Sequence, residues 1–162
     1  MSTLLIDQSL ILQNIKANTK EEVLTLMASN MREQGVVKES YIQAIIDREK
    51  IYPTGLPTQG VSVAIPHTDR VHVNKKSLSV GVLTEPVHFV LMGEDDRTTP
   101  VKLVFMLAMD EDHAQLSLLQ KLMSVFQNAE CLSYLAAEED KAKIIAMLNH
   151  ALELPEKGDE KI

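Results

Sequence analysis

Two apolar runs, SLSVGVLT at 77–84 and KLVFMLAM at 102–109, set the tightest limit on what this chain can fold into. A strand with one face in water alternates apolar and polar side chains. These runs barely alternate, so both of their faces must be covered. They are expected as central strands of a sheet that carries helices above and below. The flanking sequence supplies such helices. Thr19 stands three residues before Glu22 in capping-box register, Val23, Leu24, Met27 and Met31 follow at helical spacing, and Gly35 closes the segment. A second helix over 38–50 puts Tyr41, Ile42, Ile45 and Ile46 on a core face.

After the second run, Asp112 can cap a helix with an apolar stripe of Leu116, Leu119, Leu122, Met123 and Phe126, expected as core fillers. A short helix over 129–136 holds Cys131 as a small buried residue, and 138–152 forms a last helix with Ile144, Ile145 and Leu148 inward. Residues 4–15 read as an edge strand plus turn, 61–65 as a short buried strand, and 86–89 as a further short strand. The economical architecture is α/β: one mixed sheet with helices on both faces, in one domain over 1–155, followed by a polar tail at 156–162.

Sixteen Lys and Arg against 23 Asp and Glu give a formal charge of −7, with no basic run, which argues against nucleic acid as a partner and favours one that displays a basic patch. Cys131 is the single cysteine, so no internal disulfide forms and a reducing compartment is expected. The start lacks a signal-peptide layout and no 18-residue apolar run occurs, so a cytoplasmic protein without direct membrane insertion is expected.

Chemistry concentrates between Arg48 and His72. The apolar run 61–65 stops at Pro66, which has no N–H to continue a ladder, and His67 follows at the rim of the sheet. A neutral imidazole there is a nucleophile near pH 7. Arg48, in the last turns of its helix, offers a cation for phosphoryl oxygens, and the hydroxyls of Thr54 and Thr58 offer neutral donors. The loop 53–60 has neither the spacing nor the lysine of a nucleotide-binding loop. A second reading of the same stretch is a metal-dependent hydrolase built on His67, Asp69 and His72, with His88 and His113 as further ligands. Ser62 is not in a nucleophile elbow, and Glu94, Asp95 and Asp96 lack the rhythm of a calcium loop.

Arg48-Glu49, Pro53-Thr54-Gly55 and Val63-Ala64-Ile65-Pro66-His67 together resemble the signature of the enzyme IIA component of the bacterial phosphoenolpyruvate-dependent sugar phosphotransferase system, fructose/mannitol family, over about residues 4–152. The resemblance implies a three-layer helix/sheet/helix sandwich. It also implies that His67 takes a phosphoryl group on Nε2 from the histidine phosphocarrier protein and passes it to a cysteine of enzyme IIB, which serves the membrane enzyme IIC. No cofactor and no metal are implied.

Thr68 stands where that family usually has glycine or cysteine. The mannitol and fructose members carry a second histidine four residues before a leucine that matches Leu119, and here that position is Gln115 rather than His113. Glutamine there, together with a histidine like His72, is similar to the galactitol-type branch and implies a hexitol such as galactitol. Residues 113 and 115 lie about 200° apart around a helix and do not substitute for one another. A nitrogen-regulatory protein of the same fold, acting through phosphorylation-dependent protein binding, is the other function that the resemblance allows.

Overall fold

The structure, a computed structural model, describes residues 4–110 and 112–152, and for 112–116 the backbone alone. The tail at 156–162 lies outside the described residues. Among the described residues the sheet has five strands: β1 (Ile11–Ile15), β2 (Gly55–Leu56), β3 (Ser62–Ala64), β4 (Ser77–Val90) and β5 (Thr98–Ala108). Their order is β1-β4-β5-β3-β2. The β1–β4 and β3–β5 pairs are parallel, the β4–β5 and β2–β3 pairs antiparallel, so the sheet is mixed.

The helices are α1 (Lys20–Glu33), α2 (Ser40–Ile51), α3 (Asp112–Phe126), α4 (Ala129–Ala137) and α5 (Lys141–Ala151). Alternation along β5 assigns them to layers. Leu103, Phe105 and Leu107 pack with Leu122 of α3, Leu135 of α4 and Leu148 of α5. Val104, Met106 and Ala108 pack with Met27 of α1 and Tyr41 and Ile45 of α2 on the other face. Both apolar runs are therefore buried on both sides, as a helix/sheet/helix sandwich requires.

Local chemistry sets the element ends. Thr19 Oγ1 accepts the Glu22 N–H at 3.2 Å, while the Glu22 carboxylate reaches one residue further out, to the Asn18 N–H at 2.7 Å. At the other end of α1, Gly35 has φ +79°, its N–H donates to the Arg32 carbonyl and the Val36 N–H to that of Met31, a Schellman closure.

Several expectations need correction. Residues 77–84 and 86–89 are not separate strands; both belong to β4. The ladder to β5 is irregular between Val82 and Val87. Pro86, without an N–H, sits in that gap, where the missing donor costs no ladder bond. The stretch 53–60 is not wholly loop, because Gly55 and Leu56 pair with Ala64 and Val63. On α3, Met123 is an exposed residue rather than a core filler, and Leu118 and Val125 are buried instead. Cys131 is half-buried, its Sγ 3.3 Å from Met147 Sδ.

Two glycines sit where the chain packs closest. A Cβ on Gly81 would lie 2.6 Å from Met27 Sδ, the far end of a flexible side chain, whereas one on Gly55 would lie 2.7 Å from the Val90 carbonyl oxygen, which is backbone. Gly55→Ala is therefore expected to cost about 2–3 kcal/mol and Gly81→Ala about 1 kcal/mol. Urea midpoints of the two variants check the order.

Candidate functional site

The ladder of β3 stops at Ala64, and the chain then leaves the sheet under control of contacts from distant segments. The Ile65 N–H donates to Thr54 Oγ1 at 3.2 Å, and the Pro66 carbonyl accepts the Leu107 N–H at 3.0 Å, beside the end of β5. His67 is thereby delivered to the sheet rim. Its Nδ1 lies 2.9 Å from the Ile65 carbonyl oxygen. A carbonyl only accepts, so Nδ1 carries the ring proton and Nε2 presents a lone pair.

His67 is half-buried rather than freely solvated. Burial pushes its pKa below the ordinary 6.5, and the Arg48 guanidinium pushes it the same way; the bond to Ile65 and the carboxylate of Asp69 oppose them. The net lowering keeps the imidazole neutral, hence nucleophilic, at neutral pH.

Arg48 occupies the last turn of α2, as expected. Its guanidinium carbon lies 4.9 Å from the centroid of the Tyr52 ring, and Nη1 is 3.8 Å from Asp69 Oδ1. Both charged side chains of that pair are substantially solvent-exposed, so the contact is weak and the cation is free to turn to an arriving anion. Exposed Ile51, Tyr52 and Val71 add apolar surface on the segments that carry Arg48 and Asp69.

The hydroxyls expected as phosphoryl donors are committed elsewhere. Thr54 is buried, its Oγ1 donating to Glu49 Oε1 at 2.9 Å and accepting from Ile65. It bears on His67 through the backbone. Thr58 Oγ1 donates to the Val61 carbonyl at 2.7 Å and accepts the Gly60 N–H, closing a turn.

Glu49 is the residue that sequence reasoning missed. It is 2% exposed, and its carboxylate also accepts the Thr54 N–H at 2.8 Å. Burial raises its pKa to about 7, against the lowering effect of the two Thr54 bonds. A signal existed: Tyr41, Ile45 and Glu49 follow one another at i, i+4, i+8, so the glutamate continues the buried stripe of α2.

The residues of the hydrolase reading do not converge. His72 Nδ1 is 2.8 Å from Ser40 Oγ, Asp69 faces Arg48, and His88 Nδ1 pairs with Thr98 Oγ1. Among the described residues, no group of three or more His, Cys, Asp or Glu is placed to hold a metal ion. Gln115 and His113 fall in the first turns of α3, which begins soon after the end of β5, but their side chains lie outside the described residues. Among the described residues, no helix is long and apolar enough to cross a membrane.

A sequence family described as "Phosphoenolpyruvate-dependent sugar phosphotransferase system, EIIA 2" matches residues 4–151. The galactitol-specific EIIA component of the phosphotransferase system of Escherichia coli (strain K12) is 33% identical to this chain over 116 residues, 72% of the chain and 77% of that protein. Among solved structures, the crystal structure of IIA mannitol from Escherichia coli superposes with a TM-score of 0.73 at 27% identity, over 90% of this chain and 99% of that one. A chain of the Escherichia coli complex of enzyme IIAMTL and phosphorylated enzyme IIBMTL superposes with a TM-score of 0.71 at 25% identity, over 93% and 98% of the two chains.

Proposed function

The chain belongs to the EIIA 2 family of the phosphoenolpyruvate-dependent sugar phosphotransferase system, and from that premise we propose that His67 is its phosphoryl carrier in the uptake of a hexitol, galactitol or a close relative. The family works through a phosphohistidine intermediate. One observation carries the assignment to His67: its Nδ1–H is held by the Ile65 carbonyl, so the free lone pair is on Nε2, within the field of Arg48.

In the proposed reaction Nε2 attacks the phosphorus of the phosphohistidine on the histidine phosphocarrier protein. A new N–P bond forms as the donor's N–P bond breaks, and the donor imidazole leaves with the electron pair. The His67 ring gains positive character, which the Ile65 carbonyl stabilises through the retained Nδ1 proton. Arg48 offsets the phosphoryl charge. A cysteine thiolate of enzyme IIB then attacks phosphorus, an S–P bond forms, and the pair returns to Nε2. Apolar Ile51, Tyr52 and Val71 suit docking of the two partners in turn. The membrane enzyme IIC would be reached only through enzyme IIB.

Likeness to the galactitol component and glutamine at position 115 favour a hexitol. The test supplies labelled phosphoenolpyruvate, enzyme I and the phosphocarrier, then offers galactitol-type or mannitol-type enzyme IIB. Acid-labile, alkali-stable label on this chain, moving faster to the galactitol-type cysteine, is the expected result. Label that never leaves for any enzyme IIB would instead favour the nitrogen-regulatory type of function.

A further inference from the structure

We infer that Glu49 is a positioning residue for His67, acting through Thr54 and Ile65 to hold the imidazole in the tautomer that presents Nε2. The inference rests on the proposed role of His67. Hydrogen bonds on either side of Ile65 link the two side chains, with the Ile65 backbone as the covalent step between them. The Glu49 carboxylate accepts the N–H and the hydroxyl of Thr54; Thr54 Oγ1 accepts the Ile65 N–H; and the Ile65 carbonyl accepts the Nδ1–H of His67.

A carboxylate at 2% exposure costs the fold desolvation that an apolar residue on the same stripe would not. Closing the 53–56 loop does not by itself require that cost. What the acid adds is direction. Burial raises the Glu49 pKa to about 7, so the direction is set by its ionised form, which prevails above that pH: a carboxylate only accepts, draws the Thr54 hydroxyl proton toward itself and leaves an oxygen lone pair facing the Ile65 N–H. That N–H belongs to the first residue beyond the β3 ladder, and no strand holds it. The Ile65 N–H and carbonyl lie in adjacent peptide planes, the first held by Thr54 and the second bounded by the Pro66 carbonyl that Leu107 holds, so the Thr54 bond is one of the two anchors that set the acceptor selecting the His67 tautomer. Ile65 precedes a proline, so this carbonyl belongs to a tertiary amide with no N–H of its own.

A glutamine of the same shape keeps one acceptor oxygen, which the Thr54 N–H claims because a backbone donor cannot reverse, and so sets its amide N–H against the hydroxyl in place of Oε1, turning the Thr54 proton toward Ile65, donor against donor. The remaining charges near Glu49, Lys20 and Glu21 on α1, act in opposite senses.

Nitrogen-15 spectra of the His67 ring, with enzyme I and phosphocarrier kinetics alongside, test the inference in the full chain. The unmodified protein is expected to show Nδ1–H as the dominant neutral tautomer. Glu49→Gln and Thr54→Val are both expected to admit the Nε2–H tautomer and to lower kcat for phosphoryl acceptance on the order of tenfold, with KM for the phosphocarrier unchanged. Thr54→Ser, which keeps the hydroxyl, is expected to recover most of the spectrum and rate lost in Thr54→Val. If Glu49→Gln does not fold, Thr54→Val carries the same readout. Folded variants with the original ring spectrum and rate, or a change in KM alone, overturn the inference and leave Glu49 as a loop support. The ring spectra need no phosphoryl transfer, so failure of the unmodified protein to take label would remove the proposed function without deciding this point.

Discussion

His67→Ala is expected to take up no acid-labile phosphoryl group from the phosphocarrier at any enzyme concentration or time. The loss should be complete because the proposed acceptor is His67 Nε2, the lone pair left free by the bond from Nδ1–H to the Ile65 carbonyl. His72 Nδ1 faces the Ser40 hydroxyl and His88 Nδ1 the Thr98 hydroxyl, groups that can donate or accept, whereas His67 Nδ1 faces a carbonyl that only accepts. Misfolding is not the expected cause of the loss. The removed ring is half-buried at the sheet rim, and its one described hydrogen bond is to the Ile65 carbonyl, so the stability cost is about 1 kcal/mol. The Pro66 carbonyl keeps its Leu107 partner and the Ile65 N–H keeps Thr54. Thermal unfolding close to that of the unmodified protein, together with absence of label, is the paired result. Label persisting on His67→Ala would move the acceptor elsewhere.

Arg48→Ala is expected to accept and pass on the phosphoryl group about ten- to a hundredfold more slowly, which corresponds to loss of a charge-assisted contact made chiefly in the transition state. A phosphohistidine adds about two negative charges to a chain already at −7, so a nearby cation must offset the repulsion. The geometry makes the guanidinium available. The guanidinium carbon lies over the Tyr52 ring, 4.9 Å from its centroid, and the 3.8 Å contact to exposed Asp69 is weak enough to exchange for phosphoryl oxygens.

Arg48→Lys should fall between the two, because an ammonium keeps the charge but cannot bind two oxygens in a fork. The variant also has a pH signature. Arg48 is one cause of the lowered His67 pKa, so its removal lets that pKa rise and the protonated, inactive ring persists to higher pH. The acid limb of the rate profile should therefore move upward in Arg48→Ala and less, if at all, in Arg48→Lys. Rapid-quench kinetics between pH 5.5 and 8 distinguish these outcomes. An unchanged rate and profile in Arg48→Ala would assign the cation's role to another group.

The layers of the sandwich were legible in the chain because they depend on periodicity. Continuous apolar runs at 77–84 and 102–109 demanded cover on both faces, and both were found buried between helices. Pro66 marked a strand end to within two residues: β3 stops at Ala64, and Pro66, which has no N–H to donate, is tied to β5 only through its carbonyl. Arg48 was readable from its place in the last turn of α2. By contrast, β2 is two residues long and contains a glycine, and pairing with β3 is what makes it a strand. Pro86 looked like a boundary between strands, yet β4 passes through it because the gap in its pairing falls there.

The site divides along the same line. Local sequence determined that a histidine would follow a chain-stopping proline, that a cation would end the preceding helix, and that Thr54 would lie on the way between them. Tertiary structure alone decided which atoms were left to do chemistry. Thr54 lost its role as a direct phosphoryl donor because Glu49 and Ile65 occupy its hydroxyl, and Glu49 became a buried acid because α2 turns that side of the helix into the core. The His67 tautomer follows from a carbonyl two residues back, whose position is held from Thr54 and from Leu107 on β5. Periodicity and backbone restriction act over a few residues and can be read in order along a chain. Whether a donor is satisfied, a carboxylate desolvated or a ring nitrogen protonated depends on groups far apart in sequence, and those meet only when the sheet has formed.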